Sequence, residues 1–281
     1  MNTLKSLILL VALSALLIGI GAYFGGQGGA TIALVIALVM NFASYWWSDK
    51  IVLKMYKATE VKYEDSPELY GDVQELAQNA GLPMPKLYIT PQDQPNAFAT
   101  GRDPNHAAVA VTRGIMRLLT REELKGVLAH ELAHVKNRDI LISSIAATIA
   151  TAITYLAYFA MFFGGGRDRG GNPIAVIAMI ILAPMAATVI RMTISRTREY
   201  GADKGGAEIC GNPIYLANAL RKLGAASHRI PLQISEQAAD STSHMLIASP
   251  LSGKGLASLF STHPPMEERI RRLEAMVSGM G

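Results

Sequence analysis

The stretch Leu124–Asp139, LKGVLAHELAHVKNRD, decides how this chain is read. It holds His130, Glu131 and His134 in the pattern H-E-x-x-H. Side chains four residues apart on an α-helix stand one above the other on the same face. Two imidazoles at that spacing can therefore grip one metal ion from a single rigid element. Glu131 follows the first histidine directly and comes close to the metal without ligating it, as a base acting on a water there must. The flanks predict the helix itself. Leu124, Val127, Leu128, Leu132 and Val135 recur at three- and four-residue steps with no proline among them. Thr120 offers a capping hydroxyl, and Glu122 and Glu123 place acids in the positive first turn.

On either side of this stretch the chain alternates between apolar and polar blocks. Its 281 residues have room for one or two domains; half are hydrophobic and only 17% are charged. Ser6–Phe24 and Ala30–Trp47 are each about long enough to cross a bilayer as a helix, and a glycine-rich turn, Gly25–Gly29, joins them. They read as a transmembrane hairpin; a cleaved signal peptide competes for the first block but lacks a clear small-residue cleavage site. Trp46 and Trp47 suit the membrane interface, and Lys50, Lys54, Lys57 and Lys62 mark the following side as cytoplasmic. A third block, Ile140–Phe163, and a fourth, Pro173–Ile190, flank the turn Gly164–Asn172, and Arg191, Arg196 and Arg198 follow. An even number of spans places both termini and the metal helix on the cytoplasmic face. Blocks three and four, richer in Ala, Thr and Ser, alternatively read as buried core helices.

The fold class expected is a mainly α membrane protein, four transmembrane helices with a cytoplasmic α+β part and a small sheet. Its divisions are 1–48, 49–139, 140–190 and 191–281. Within the water-facing parts, Ser66–Ala80 reads as an amphipathic helix stopped by Gly81, and Lys86–Thr90 and Ala107–Thr112 as strands. Asn96–Thr100, in NAFATG, reads either as an exposed edge strand to which a peptide could add or as a plain connecting strand. Asn212–Gly224 and Met266–Met276 are helical in pattern, and Arg229–Pro250 is irregular. The net charge of +4 does not indicate nucleic acid, because the basic residues sit at block edges and no binding pattern occurs. The single cysteine, Cys210, excludes an intramolecular disulfide and a cysteine-rich metal site, and reads as a small buried apolar residue.

A catalytic zinc needs three protein ligands and an open position. The six residues after His134 hold neither a glycine bend nor a further histidine, so the third ligand comes from elsewhere. Glu199 is the candidate, in Arg198–Asp203, REYGAD. Glu199 and Asp203 share a helical face, so one can ligate while the other accepts a ring N–H of a ligating histidine. His263, in THPP, is a candidate donor to the oxyanion of a hydrolysis; alternatively it packs at the start of the last helix. Arg138 and Asp139 read as structural ion pairs near the membrane surface. His106, His228 and His244 are expected to have no catalytic part.

H-E-x-x-H, a hydrophobic hairpin, then E-x-x-x-D, with two spans ahead of them, resembles the HtpX family of bacterial membrane zinc metalloproteases, relatives of the endopeptidases that process prenylated CAAX proteins. The likeness covers nearly the whole chain, through NAFATG, HELAH, SRTREYGAD and THPP. It implies a zincin-like catalytic domain of gluzincin type with one zinc ion at His130, His134 and Glu199, Glu131 as catalytic base, and Asp203 supporting a ligand. It also favours Asn96, Ala97, Phe98, Ala99 and Thr100 as the strand that binds protein substrates. By the same resemblance the protein sits in the inner membrane, faces the cytoplasm, needs no ATP, and removes misfolded or unassembled proteins, often under stress. Peptide substrates and the lipid bilayer are its expected partners. Three other classes compete. An intramembrane metalloprotease would not surround its metal helix with Glu122, Glu123, Lys125, Lys136 and Arg138. A non-catalytic zinc scaffold would close its site with a fourth ligand. A transporter would carry ionisable residues inside its spans.

Overall fold

The computed structural model describes residues 2–141, 143, 145, 196–227 and 264–278. Most of the third and all of the fourth apolar block lie outside the described residues, as does His263. Helix α1, Asn2–Met55, is interrupted at Gly26, whose φ of 55° and ψ of −144° belong to no helix. The chain folds back there. Asn41 Nδ2 donates to Ser14 Oγ at 2.8 Å, although a straight helix would hold these residues about 40 Å apart at ~1.5 Å per residue. The chain therefore reverses within the glycine turn. Its window Gly26–Ala43, mean hydropathy 1.6, is long and apolar enough to cross a membrane. Only 11% of that window is buried, and Ile32, Val35, Leu38, Val39 and Phe42 are all exposed. Such a surface is suited to lipid and not to water.

Among the described residues four strands form one mixed sheet: β1 Thr59–Val61, β2 Lys86–Thr90, β3 Ala97–Gly101 and β4 Ala107–Thr112, in the order β1-β2-β4-β3. β2 and β4 run parallel, and the outer strands pair antiparallel to them. The strands expected at Lys86–Thr90 and Ala107–Thr112 have those bounds, whereas the three-residue β1 carries too little pattern to be read alone. β3 is an edge strand among the described residues, but it is not exposed: all five of its residues are buried. One face, through Phe98, Ala108 and Ala110, lies under the end of α1 at Val52, Leu53 and Tyr56. The other face, through Ala97, Ala99, Val109 and Val111, joins the main core with α2, Pro67–Ala80. β4 leads directly into the short helix α3, Arg113–Leu118, whose Ile115 joins the same core.

The core is built around α4, Arg121–Lys136, which buries ten of its residues, Gly126 to Ala133 without a break among them. Its N-terminus carries a full capping box, Thr120 accepting from the Glu123 amide and Glu123 from the Thr120 amide. Around it pack β3, α2, and two helices from later in the chain, α5 Arg196–Cys210 and α6 Pro213–Ser227. α7, Met266–Ser278, packs against both of these. Two glycines permit the close approach. A Cβ on Gly126 would stand 2.5 Å from the Leu216 amide nitrogen of α6, and one on Gly206 of α5 would stand 2.8 Å from the backbone of His130. Alanine in a helix interior ordinarily stabilises by about 1 kcal/mol over glycine. At Gly126 overpacking costs about 1–3 kcal/mol, so Gly126→Ala is expected to lower the melting temperature in detergent; a rise would contradict this packing.

Candidate metal centre

α4 ends at a turn that positions one of its own histidines. Asn137 caps it, Arg138 adopts a left-handed φ of 59°, and the chain resumes helix at Ile140. This reversal returns Asp139 beneath the last turn of α4, where its Oδ2 lies 3.0 Å from His134 Nδ1. His130, one turn earlier, is held similarly from α5: its Nδ1 lies 3.0 Å from Asp203 Oδ1, an ion-pair contact rather than an aligned hydrogen bond. With a carboxylate behind each ring, both protons belong on Nδ1 and both Nε2 lone pairs face forward.

Those two Nε2 atoms are 3.2 Å apart, on rings crossed at 88°. Glu199 completes the group, its Oε1 3.6 Å from His134 Nε2 and its Oε2 3.7 Å from His130 Nε2. One ligand atom from each of the three residues lies within 4.8 Å of the other two. The fit to a metal is chemical as well as geometric. Two nitrogens each about 2.0–2.1 Å from one tetrahedral ion stand roughly 3.3 Å apart, close to the 3.2 Å found here. Four carboxylates, Glu131, Glu199, Asp203 and Asp139, gather around two guanidinium groups, Arg269 and Arg198. With neutral imidazoles that leaves two negative charges, which a divalent ion balances.

Burial and charge together set the protonation pattern. Burial lowers the His134 pKa, but the Asp139 hydrogen bond and the Glu199 and Glu131 carboxylates outweigh it and raise it to about 9. Burial pushes the Glu131 carboxyl up, with Glu199 adding to it, against the pull of both histidines and an amide hydrogen bond. That amide is Ala99 N–H, which donates to Glu131 Oε2 at 2.9 Å. Burial likewise works against ionised Asp203, but the Arg269 guanidinium and the His130 contact hold its carboxyl far below the usual range.

Arg269 has no counterpart among the residues singled out from the sequence. It is 0% exposed and grips Asp203 with two bonds, Nε to Oδ2 at 2.9 Å and Nη2 to Oδ1 at 2.7 Å. Its Nη1 lies 4.0 Å from Glu199 Oε2. A signal was available: Arg269 falls on the buried stripe of α7 with Met266, Ile270 and Leu273, where an amphipathic pattern calls for an apolar residue. Asp139 makes the expected ion pair, with Arg198 at 3.8 Å, but its closer contact, at 3.0 Å, is with His134, a partner the sequence did not point to. Asn96 precedes β3, buried at 1% exposure, and its backbone N–H donates to Thr112 Oγ1 at 2.9 Å, which ties it to β4.

The profile of peptidase family M48 matches residues 64–277. The chain belongs to peptidase family M48. It is a metalloprotease, and its relatives include a protease HtpX homolog of Syntrophotalea carbinolica, 57% identical over 98% of this chain and 99% of that protein. A protease HtpX homolog of Thermodesulfovibrio yellowstonii is 59% identical over 98% of this chain and 99% of its own length. Identity at that level over both full lengths confirms the HtpX resemblance drawn from HELAH and REYGAD. Among solved structures, the crystal structure of Ste24p from S. mikatae superimposes with a TM-score of 0.51 at 20% identity, covering 97% of this chain and 65% of that one. At so low an identity the likeness speaks for the fold alone.

Because a ligating histidine must be neutral, metal binding displaces the proton that His134 holds below about 9. Metal affinity should therefore rise with pH up to that value and level off above it, as a chelator-competition titration would read. Asp139→Asn should weaken the metal roughly 10- to 100-fold at pH 7. An affinity that is flat with pH and indifferent to this substitution would contradict the arrangement.

Proposed function

We propose that this chain is a membrane-anchored zinc endopeptidase that hydrolyses peptide bonds in misfolded or unassembled membrane and cytoplasmic proteins, as part of quality control and the stress response. The observation that carries this reading is the convergence of His130, His134 and Glu199 beside Glu131, whose carboxylate already touches the amide of an edge strand. One zinc ion would be held by His130, His134 and Glu199, where it would supply Lewis acidity to a scissile carbonyl and to water.

The chain's own residues do the rest. Glu131, buried with a raised pKa, takes the proton from the attacking water and passes it to the leaving amine. Asp203, held by Arg269, fixes His130, and Asp139 fixes His134. A substrate lies along Asn96–Thr100 by main-chain hydrogen bonds, an arrangement that tolerates many sequences. Asn96 and the inward-facing amides stay with β4, so the contact falls to Ala97 and Ala99. When a substrate carbonyl takes the Ala99 N–H, Glu131 is released for its proton transfer. His263 is the proposed donor to the developing oxyanion; in the sequence it shortly precedes α7, the helix that brings Arg269 in.

The proposed anchoring is four spans in the inner membrane, with 1–48 and 140–190 as hairpins and 49–139 and 191–281 as the cytoplasmic catalytic parts. What supports it is the fold-back of α1, its exposed apolar surface and the lysines that follow it.

Detergent-solubilised protein prepared without chelator tests the reading. Wild type and Glu131→Gln should each carry about one zinc, while cleavage of casein should fall by at least ~100-fold in the variant. Equal zinc content with no cleavage by either protein, across detergents and lipids, would favour a non-catalytic zinc scaffold.

A further inference from the structure

The end of α1 does more than anchor the chain; it runs along the strand that faces the metal centre. Two contacts define the alignment. The Tyr56 and Phe98 rings pack with centroids 4.8 Å apart, both residues buried. Nearer the apolar window, the Arg102 guanidinium carbon sits 4.8 Å from the Trp46 ring centroid. Along α1 and the one residue past its end, Tyr56, these contacts are ten residues apart, about 15 Å at ~1.5 Å per residue. Along β3 and its exit they are four apart, about 13 Å at ~3.3 Å per residue. The spans match, and the numbering runs in opposite senses. β3 therefore lies lengthwise beside α1, antiparallel to it, with its Arg102 end toward the membrane window.

This alignment sets the height of the site above the bilayer. Tyr45, Trp46 and Trp47 begin one residue past the window that ends at Ala43, and all three are more than a third exposed, as an interfacial aromatic belt requires. Arg102 touches that belt. Ala99, whose amide meets Glu131, is three residues further along, about 10 Å at ~3.3 Å per residue. A helix tilt of about 20° changes this by less than a tenth. From the other side of the site, Asp139, which holds His134, is followed at once by the apolar block that begins at Ile140.

We propose that the site is built to cut polypeptides where they leave the bilayer: the substrate segment is tethered by a membrane-spanning helix, lies along β3 close to the membrane normal, and is cleaved within about three to six residues of the interface. This rests on the peptidase reading above and adds the position of the scissile bond. A peptide extended along β3 has one end at the aromatic belt, so a chain emerging there reaches Glu131 without a long spacer. Tethering by itself raises the effective concentration of a substrate at any spacer it can span, and the gain declines as the linker lengthens. The distinguishing quantity is the shortest spacer that still permits cleavage.

The test uses full-length, zinc-loaded protein in proteoliposomes. Reporters carry one transmembrane helix, a Gly/Ser spacer of three, six, twelve or twenty-four residues, and one peptide segment that the solubilised enzyme cuts. Cleavage is expected already at three to six residues, at least tenfold faster than for the same segment free in solution, with a decline at twenty-four. Intact three- and six-residue reporters beside cleaved longer ones would overturn the proposal. Casein digestion by the same preparation separates the two readings: if casein is also untouched, the peptidase reading fails and this proposal with it. The geometry has a readout of its own, because Trp46 and Trp47 are the chain's two tryptophans. Brominated lipids should quench them most strongly from positions near the headgroups; strongest quenching from the bilayer centre would also overturn the proposal.

Discussion

The buried ion pair between Arg269 and Asp203 is the constraint on which the rest of the site depends. A fully buried guanidinium is tolerated only with a fixed counter-charge, and removing one member of such a pair typically costs about 3–5 kcal/mol. The pair locks α7 to α5, and through Asp203 it reaches His130 on α4. Elements far apart in the chain are thereby held at one point, and the same contact that joins them places a carboxylate behind the His130 imidazole. Asp139 does the corresponding work for His134 from the turn that ends α4. Stability and ligand orientation come from the same side chains.

Close packing makes this possible. α5 approaches α4 so tightly at Gly206 that no Cβ would fit against the backbone of His130. That approach lets Glu199 reach across to the two imidazoles. On another side of α4, β3 comes near enough for its Ala99 amide to bond Glu131. His130, His134 and Glu199 thus meet on one side of α4 and Glu131 faces another, an outcome of placing histidine, glutamate and histidine on a helix that is buried nearly all round.

Much of this was legible in the residues. The three- and four-residue recurrence from Leu124 to Val135 located α4, and Thr120 with Glu123 marked its start. The i, i+4 spacing of His130 and His134, and of Glu199 and Asp203, placed each pair on one helical face before their partners were known. Other features depend on tertiary contact and leave a weaker trace. The β3 strand reads as exposed because nothing local announces that α1 continues past Trp47 and covers it with Leu53 and Tyr56. Asp139 looks like an ordinary surface acid until the left-handed turn at Arg138 folds it back under His134. Arg269 hides among charged neighbours in MEERIRRLE, though its place on the apolar stripe of α7 sets it apart.

The central claim is that one metal ion is held by two imidazole nitrogens and a carboxylate, with one position left open. Zinc K-edge X-ray absorption on the purified, zinc-loaded protein tests it most directly. The expected result is a four-coordinate shell of nitrogen and oxygen alone at about 2.0–2.2 Å, with the outer-shell scattering of two imidazoles. A sulfur shell near ~2.3 Å, or a spectrum with one imidazole or none, would contradict it.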